Sequence, residues 1–339
     1  MTVTTAVDIR QHNKERLRCA IRQHDRCTKS DIARATGLSM ATCSTALNEM
    51  MDEGEILKIA QTECSLGRPA DIFTYNPDYL HVLALCASIR NGMRVLEYAV
   101  ADAFGRLILR KLRMADKLEL PLLLDVIAEC RAKDPKICVV SLGVPGHTHD
   151  GRIETCDLEE LSHLDIADSI RAVHPVRVIV ENDMNLIAYR LYRMSGEKKA
   201  DCAALYFPVE ENAVIGGGFV ANGRLLRGKS MFAGELSAMA QAFGLSRTAQ
   251  RALLHDREAF RVFVTQMVVS VTCMLNPDQV TLMGNGLDES DLDAIREGCL
   301  RFVAADNLPE LQINNNIADS YIEGIVQCAL DTMLFPIPL

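Results

Sequence analysis

The stretch from Thr28 to Arg68 limits what this chain can fold into more than any other. Thr28-Lys29-Ser30-Asp31 opens a helix: the Thr28 hydroxyl can accept from a first-turn amide, and Asp31 can reach back to the Thr28 amide. Gly37-Leu38-Ser39 then makes a tight turn, because Gly37 takes a positive φ without steric cost and Ser39 can cap a second helix. That helix is predicted from Met40 to Glu53, with Cys43, Ala46, Leu47 and Met50 at three-to-four spacing on its buried side. The pattern is that of a helix-turn-helix.

The opposite face carries Ser39, Met40, Ala41, Ser44, Thr45 and Asn48, side chains short enough to enter a DNA major groove. Lys29, at the start of the first helix, joins them as a candidate DNA contact. A plain helical hairpin inside a larger core shares this spacing. The following segment argues against it. Ile56-Leu57-Lys58-Ile59 and Ile72-Phe73-Thr74-Tyr75 read as two strands around the loop Ser65-Leu66-Gly67-Arg68-Pro69, which makes a wing. Arg68 on that stiff loop suits a minor groove; the bland alternative is a surface turn tied to a nearby carboxylate.

Charge raises a question. From Ser39 to Glu53 there is no Lys or Arg, so attraction for phosphate must come from elsewhere. A preceding helix, about Asp8 to His24, offers Arg10, Lys14, Arg16, Arg18 and Arg22 as that source, and Arg68 is the other candidate. Residues 1–75 hold ten basic and ten acidic side chains, so the net charge of −9 lies entirely in the remainder. A neutral head on an acidic body suits DNA contact through one end only.

The 339 residues suffice for two or three domains, and 49% hydrophobic with 24% charged content is that of a globular protein. No apolar run suggests a membrane span, and Met1-Thr2-Val3-Thr4-Thr5 lacks the pattern of a signal peptide, so the expected location is cytoplasmic. The twelve cysteines are scattered, with no pair at two-residue spacing, and read as free core thiols rather than zinc ligands or disulfides.

After Asn76-Pro77 the pattern changes. Runs at His81–Ser88, Met93–Val100 and Arg106–Leu112 predict an antiparallel meander, followed by helix (Leu118–Lys133), strand (Ile137–Leu142), helix (Leu164–Val173), strand (Val176–Val180) and helix (Met184–Met194). A second meander follows at Cys202–Phe207, Ala213–Val220 and Arg224–Leu226. Then come a helix (Asp256–Leu275), a strand (Gln279–Met283), a helix (Leu292–Ala304), a strand (Leu311–Ile313) and a last helix (Ala318–Leu334). Two meanders, each followed by alternating helix and strand, predict two similar α/β lobes with a cleft between them.

With these landmarks the chain resembles the ROK family (repressors, open reading frames and sugar kinases) in its transcriptional-regulator branch. The resemblance rests on the order of Gly67-Arg68-Pro69; Asn76-Pro77; Gly143-Val144-Pro145-Gly146; Asn182-Asp183; Gly216-Gly217-Gly218 with Asn222-Gly223; Gly234-Glu235; and Leu275-Asn276-Pro277-Asp278 before Gly284. It implies an α/β fold: an N-terminal winged helix-turn-helix over 1–76, then a two-lobed actin-like ATPase or sugar-kinase (ribonuclease H-like) body. The first lobe would span 77–190, completed by a C-terminal helix over 318–335, and the second 191–317.

The chain also departs from the family. The kinases' Asp-x-Gly-x-Thr phosphate loop would fall near Cys86-Ala87-Ser88-Ile89-Arg90, and no aspartate lies between Asp78 and Asp102. The second phosphate loop, Gly-Thr-Gly-Ile-Gly in the family, reads Asn212-Ala213-Val214-Ile215-Gly216, which gives up the open backbone that cradles phosphate. The adenine-side Gly-Gly-Gly has become Gly284-Asn285-Gly286. Ala238 stands in the position of the zinc-binding histidine, and no cysteine occurs between Cys202 and Cys273. The expectation is therefore no catalysis, no cofactor and no metal.

What the family implies for a sugar pocket is partly kept: Gly146, Asn182, Asp183 and Glu235 match residues that contact sugar hydroxyls. Asn182-Asp183 would equally serve as a helix cap and Glu235 as half of an ion pair; His147 and His149, just after Gly146, are placed either to line the pocket or as solvated loop residues. The expected partners are double-stranded operator DNA, a sugar or sugar-derivative effector, and further copies of the chain in a dimer or tetramer. Two other readings remain: a sugar kinase with an added DNA-binding head, and a regulator whose body binds no ligand.

Overall fold

The computed structural model describes residues 6–24, 26–61, 70–196, 201–208, 214–284 and 286–334. In the head, α1 (Ala6–His24) leads into a two-residue strand β1 (Cys27–Thr28), then α2 (Lys29–Thr36), α3 (Met40–Asp52), β2 (Ile56–Gln61) and β3 (Asp71–Tyr75). The local chemistry predicted for α2 and α3 is present. Thr28 and Asp31 form a reciprocal capping box, Gly37 has φ 65°, and Ser39 accepts from the Thr42 amide. Cys43, Ala46, Leu47 and Met50 are the buried residues of α3. β2 and β3 pair antiparallel as a wing, and β1 adds to the far edge of β3, a strand the sequence did not reveal.

The first lobe contains β4 (His81–Arg90), β5 (Met93–Ala101), β6 (Leu107–Ala115), α4 (Leu120–Lys133), β7 (Ile137–Val144), β8 (Gly146–His149), β9 (Arg152–Cys156), α5 (Ile166–Val173), β10 (Arg177–Asn182) and α6 (Asp183–Met194). The second contains β11 (Cys202–Tyr206), β12 (Gly216–Ala221), β13 (Arg224–Leu225), α7 (Leu236–Ala242), α8 (Arg247–Ala252), α9 (Arg257–Leu275), β14 (Gln279–Met283), α10 (Glu289–Cys299) and β15 (Glu310–Ile313). The chain ends in α11 (Ile317–Leu334).

The two five-stranded sheets have the same order, β6-β5-β4-β7-β10 and β13-β12-β11-β14-β15. In each, the first strand of the meander sits at the centre and two parallel strands follow. The two-lobe expectation is met. The β8–β9 hairpin and helices α7 and α8 were not foreseen. α10 begins and ends earlier than expected, because Asp288 and Asp291 form a capping box that starts it at Glu289.

α11 crosses back to pack on β4 and β7 and lies along α6, which also packs on β11 and β12 of the second lobe. The approach of α11 to α6 is close: a Cβ at Gly324 would overlap the Leu186 carbonyl. Around that contact run Arg190 to Glu323 (2.7 Å) and the Tyr189 hydroxyl to Asp331 (2.6 Å). One buried cluster joins Leu17 and Ile21 of the head, Ala84 and Ala101 of the first lobe, and Leu334 of α11. By length and composition α9 is apolar enough to cross a membrane, but Phe263, Val264, Met267 and Val271 are core residues of the second lobe.

Candidate nucleic-acid interface and interlobe recess

On α3, Met40, Ala41, Thr45 and Asn48 are exposed, Ser44 is half-exposed, and the Ser39 cap lies at the helix start. They form one outward face, opposite the four buried residues. Lys29 is half-exposed at the first position of α2. Arg68 and the rest of the wing tip lie outside the described residues, as do Asn212, Ala213 and Asn285 of the two family landmarks.

The structure corrects the expected source of phosphate attraction. The α1 cations are engaged within the protein. Arg10 forks onto Glu49 at 2.6 and 2.9 Å, and Lys14 reaches Glu53 at 2.6 Å and Glu49 at 3.4 Å. These contacts neutralise the acidic end of α3. Arg16 donates to the Thr36 carbonyl. Arg18 pairs with fully buried Glu55, which also accepts from the Tyr75 hydroxyl (3.0 Å), and donates to the Leu334 carbonyl at the end of α11 (2.7 Å). Arg22 donates to the Ala103 carbonyl and lies over the rings of Tyr75 and Phe104. These side chains tie α1 to α3 and the head to the body. Lys14 and Arg18 are buried while Arg10 and Arg16 stay exposed but paired; pairing with distant parts of the chain is invisible in a linear sequence.

Between the lobes the structure gathers the residues expected to form a pocket. Asn182 ends β10 and caps α6: its Oδ1 accepts from the Asn185 amide (3.1 Å), and its Nδ2 donates to the Gly146 carbonyl (3.0 Å). The helix-cap alternative therefore describes Asn182 well, and the same side chain fixes Gly146. Gly146 itself is required by the hairpin, since a Cβ there would overlap the Thr155 carbonyl of β9. Asp183, half-buried, accepts from the Met184 amide at 2.8 Å. Its carboxyl is pushed up to about 7, chiefly by burial and further by Asp157 and Glu235, against the pull of the Met184 amide.

Asp157 follows β9 and is exposed. It is pushed up to about 6, by desolvation first and by Glu235, with Arg247 opposing. Glu235, just before α7, is also raised by desolvation, while His147 and Arg247 favour its charged form. Carboxylates from both lobes thus act on one another across the boundary between the lobes. Among the described residues Glu235 makes no ion pair, so that alternative is not realised.

The sequence reading weighed His147 between the pocket and a solvated loop, and missed Arg247 and Arg227. His147 is half-buried, and its Nε2 donates to the Ser230 carbonyl across the cleft (2.6 Å). Arg247 begins α8, a helix not foreseen. Arg227 crosses from the second lobe to buried Glu181 at 2.6 and 2.7 Å, and Glu181 also accepts from the Asn182 amide and the Asn185 side chain at 2.9 Å each. Glu181 directly precedes Asn182, which is the one local signal that could have pointed to it.

Residues 86–244 match the ROK family, and residues 14–56 match the winged helix-turn-helix DNA-binding family. The chain carries a ROK family domain behind a winged helix-turn-helix. It is 23% identical over 248 residues to the xylose repressor of Bacillus subtilis (strain 168); the match spans 70% of this chain and 63% of that repressor's length. Its fold is that of a ROK family transcriptional regulator described as a homolog of the E. coli Mlc protein, with a TM-score of 0.74 and 16% identity over 97% of this chain and 98% of that one. A ROK hexokinase from Thermus thermophilus shares the body alone: TM-score 0.56, 19% identity, 74% of this chain and 98% of that one.

Proposed function

We propose that this ROK protein is a sequence-specific DNA-binding transcriptional repressor whose body senses a sugar or sugar derivative. The observation that carries the reading is the exposed α3 face of short side chains, held by a capped turn on a head that is docked through buried contacts onto a two-lobed body. Ser39, Met40, Ala41, Ser44, Thr45 and Asn48 would meet base edges, with Lys29 and Arg68 on the backbone or minor groove. The likeness to the xylose repressor and to the Mlc-related regulator supports the same reading.

Asn182, Asp183, Gly146 and Glu235 would meet sugar hydroxyls between the lobes, where the Asp183 carboxyl, pushed up to about 7, can both donate and accept. Closure of the lobes on a ligand would move α6 and α11 together, and Arg18 carries the end of α11 to the head. Two heads on a two-fold site require at least a dimer.

Kinase activity is not proposed. Where the family's first phosphate loop would lie, the Tyr321 hydroxyl donates to the Ala87 carbonyl (3.4 Å), and its ring lies against Gly143. Selection of bound sequences from random duplex DNA tests the reading, with a thermal-shift panel of sugars alongside, since a ligand of the native state must raise its stability. An enriched two-fold site and a stabilising sugar are expected. No enriched site would overturn the DNA-binding reading. No stabilising sugar would leave a body that only oligomerises.

A further inference from the structure

If the α1 cations are spent inside the protein, phosphate attraction must come from the side chains that remain. Among the described head residues, Lys58 pairs with Asp71 (2.8 Å) and Arg34 with Asp31 (2.7 Å). Arg26 and Lys29 have neither an ion pair nor a side-chain hydrogen bond among the described residues. They flank β1 and open α2, so both stand at the corner where α1 gives way to the helix-turn-helix.

That corner is also concave. A recess of about 400 Å³ is lined by His24, Arg26, Cys27, Asp31, Arg34 and Ala35. Its one carboxylate, Asp31, is already occupied: it accepts from the Thr28 amide (3.0 Å), the Thr28 hydroxyl (2.6 Å) and Arg34, and is held below the usual carboxylate range by the Thr28 hydrogen bonds first. Arg34 is exposed and holds Asp31 through one nitrogen only, unlike the two-pronged Arg10–Glu49 pair, so it can turn toward a stronger anion at little cost. The first-turn amides of α2 add a positive end to the same corner.

We propose that Arg26, Lys29 and Arg34 form the phosphodiester-contacting site of the head, and that the α1 cations contribute none. This rests on the DNA-binding reading above. It assigns the sequence-independent part of the affinity to the α1–α2 corner and leaves base reading to α3. The Arg10 and Lys14 pairs then act differently, holding α1 against the end of α3.

The experiment is fluorescence anisotropy of the full-length protein on a labelled duplex, titrated over a range of salt, for wild type, Arg26→Ala/Lys29→Ala and Arg10→Ala. Each phosphate contact adds about 0.9 to the slope of log affinity against log salt. The double variant is expected to lose about 1.8 of slope, to weaken equally on selected and unrelated duplexes, and to keep the wild-type melting temperature. Lys29→Arg should retain the wild-type slope, and Arg10→Ala should leave it unchanged. An unchanged slope in the double variant, or an equal loss in Arg10→Ala, would overturn the assignment. Absence of wild-type binding even at low salt would instead overturn the DNA-binding reading itself.

Discussion

Arg18→Met probes the joint between head and body. In the native protein the Glu55 carboxylate is fully buried and held by Arg18 and the Tyr75 hydroxyl, and Arg18 NH1 donates to the last described carbonyl of α11. Methionine keeps most of the stem volume but leaves the carboxylate with one neutral donor and the Leu334 carbonyl unpaired. Removing one partner of a buried pair costs about 3–5 kcal/mol. A pair about 4 Å apart at the effective dielectric of proteins interacts by about 4 kcal/mol, which agrees. The loss belongs to the head, so hydrogen exchange of α1 and α3 is the assay. Their protection should fall by about two to three orders of magnitude, while the core strands β11 and β14 keep theirs. Adding Glu55→Gln should restore part of the loss, because no buried charge remains. Unchanged protection in Arg18→Met, or a double variant worse than either single change, would refute the reasoning.

Two further outcomes are expected. Because the folded Asp183 carboxyl titrates near 7, well above its ordinary value of 3.8, the folded state holds a proton that the unfolded chain has released; this group's contribution is most favourable below about pH 4 and is lost as pH rises through about 7. The melting temperature of Asp183→Asn relative to wild type should therefore rise between about pH 5 and about pH 8, and a constant difference would contradict the desolvated site. Gly324→Ala should push α11 off α6 and cost about 1–3 kcal/mol in urea unfolding; a neutral result would mean that the two helices are free to separate.

The head was legible because its signals are local. Thr28, Asp31, Gly37 and Ser39 act within four residues of themselves, and Cys43, Ala46, Leu47 and Met50 declare their face by spacing alone. The meanders were legible by length and apolar runs. The β8–β9 hairpin was not, since His147-Thr148-His149 and the turn Asp150-Gly151 carry no alternation; Thr148 and Ile153 are its buried residues. Nor could spacing show that Arg18 meets Leu334 from 316 positions away, or that Asp157, after β9, faces Glu235 of the other lobe. Resemblance supplied Asn182, Asp183 and Glu235, and tertiary structure supplied what surrounds them.

The central claim is that the exposed face of α3 reads base sequence. The most direct measurement is to repeat the selection from random duplex DNA with Thr45→Ala and Asn48→Ala beside wild type. The account predicts that each variant still enriches a two-fold site, with preference relaxed or changed at one or two base pairs per half-site, each worth about 1–3 kcal/mol. Enriched sequences identical to those of wild type would contradict it and move base reading away from α3.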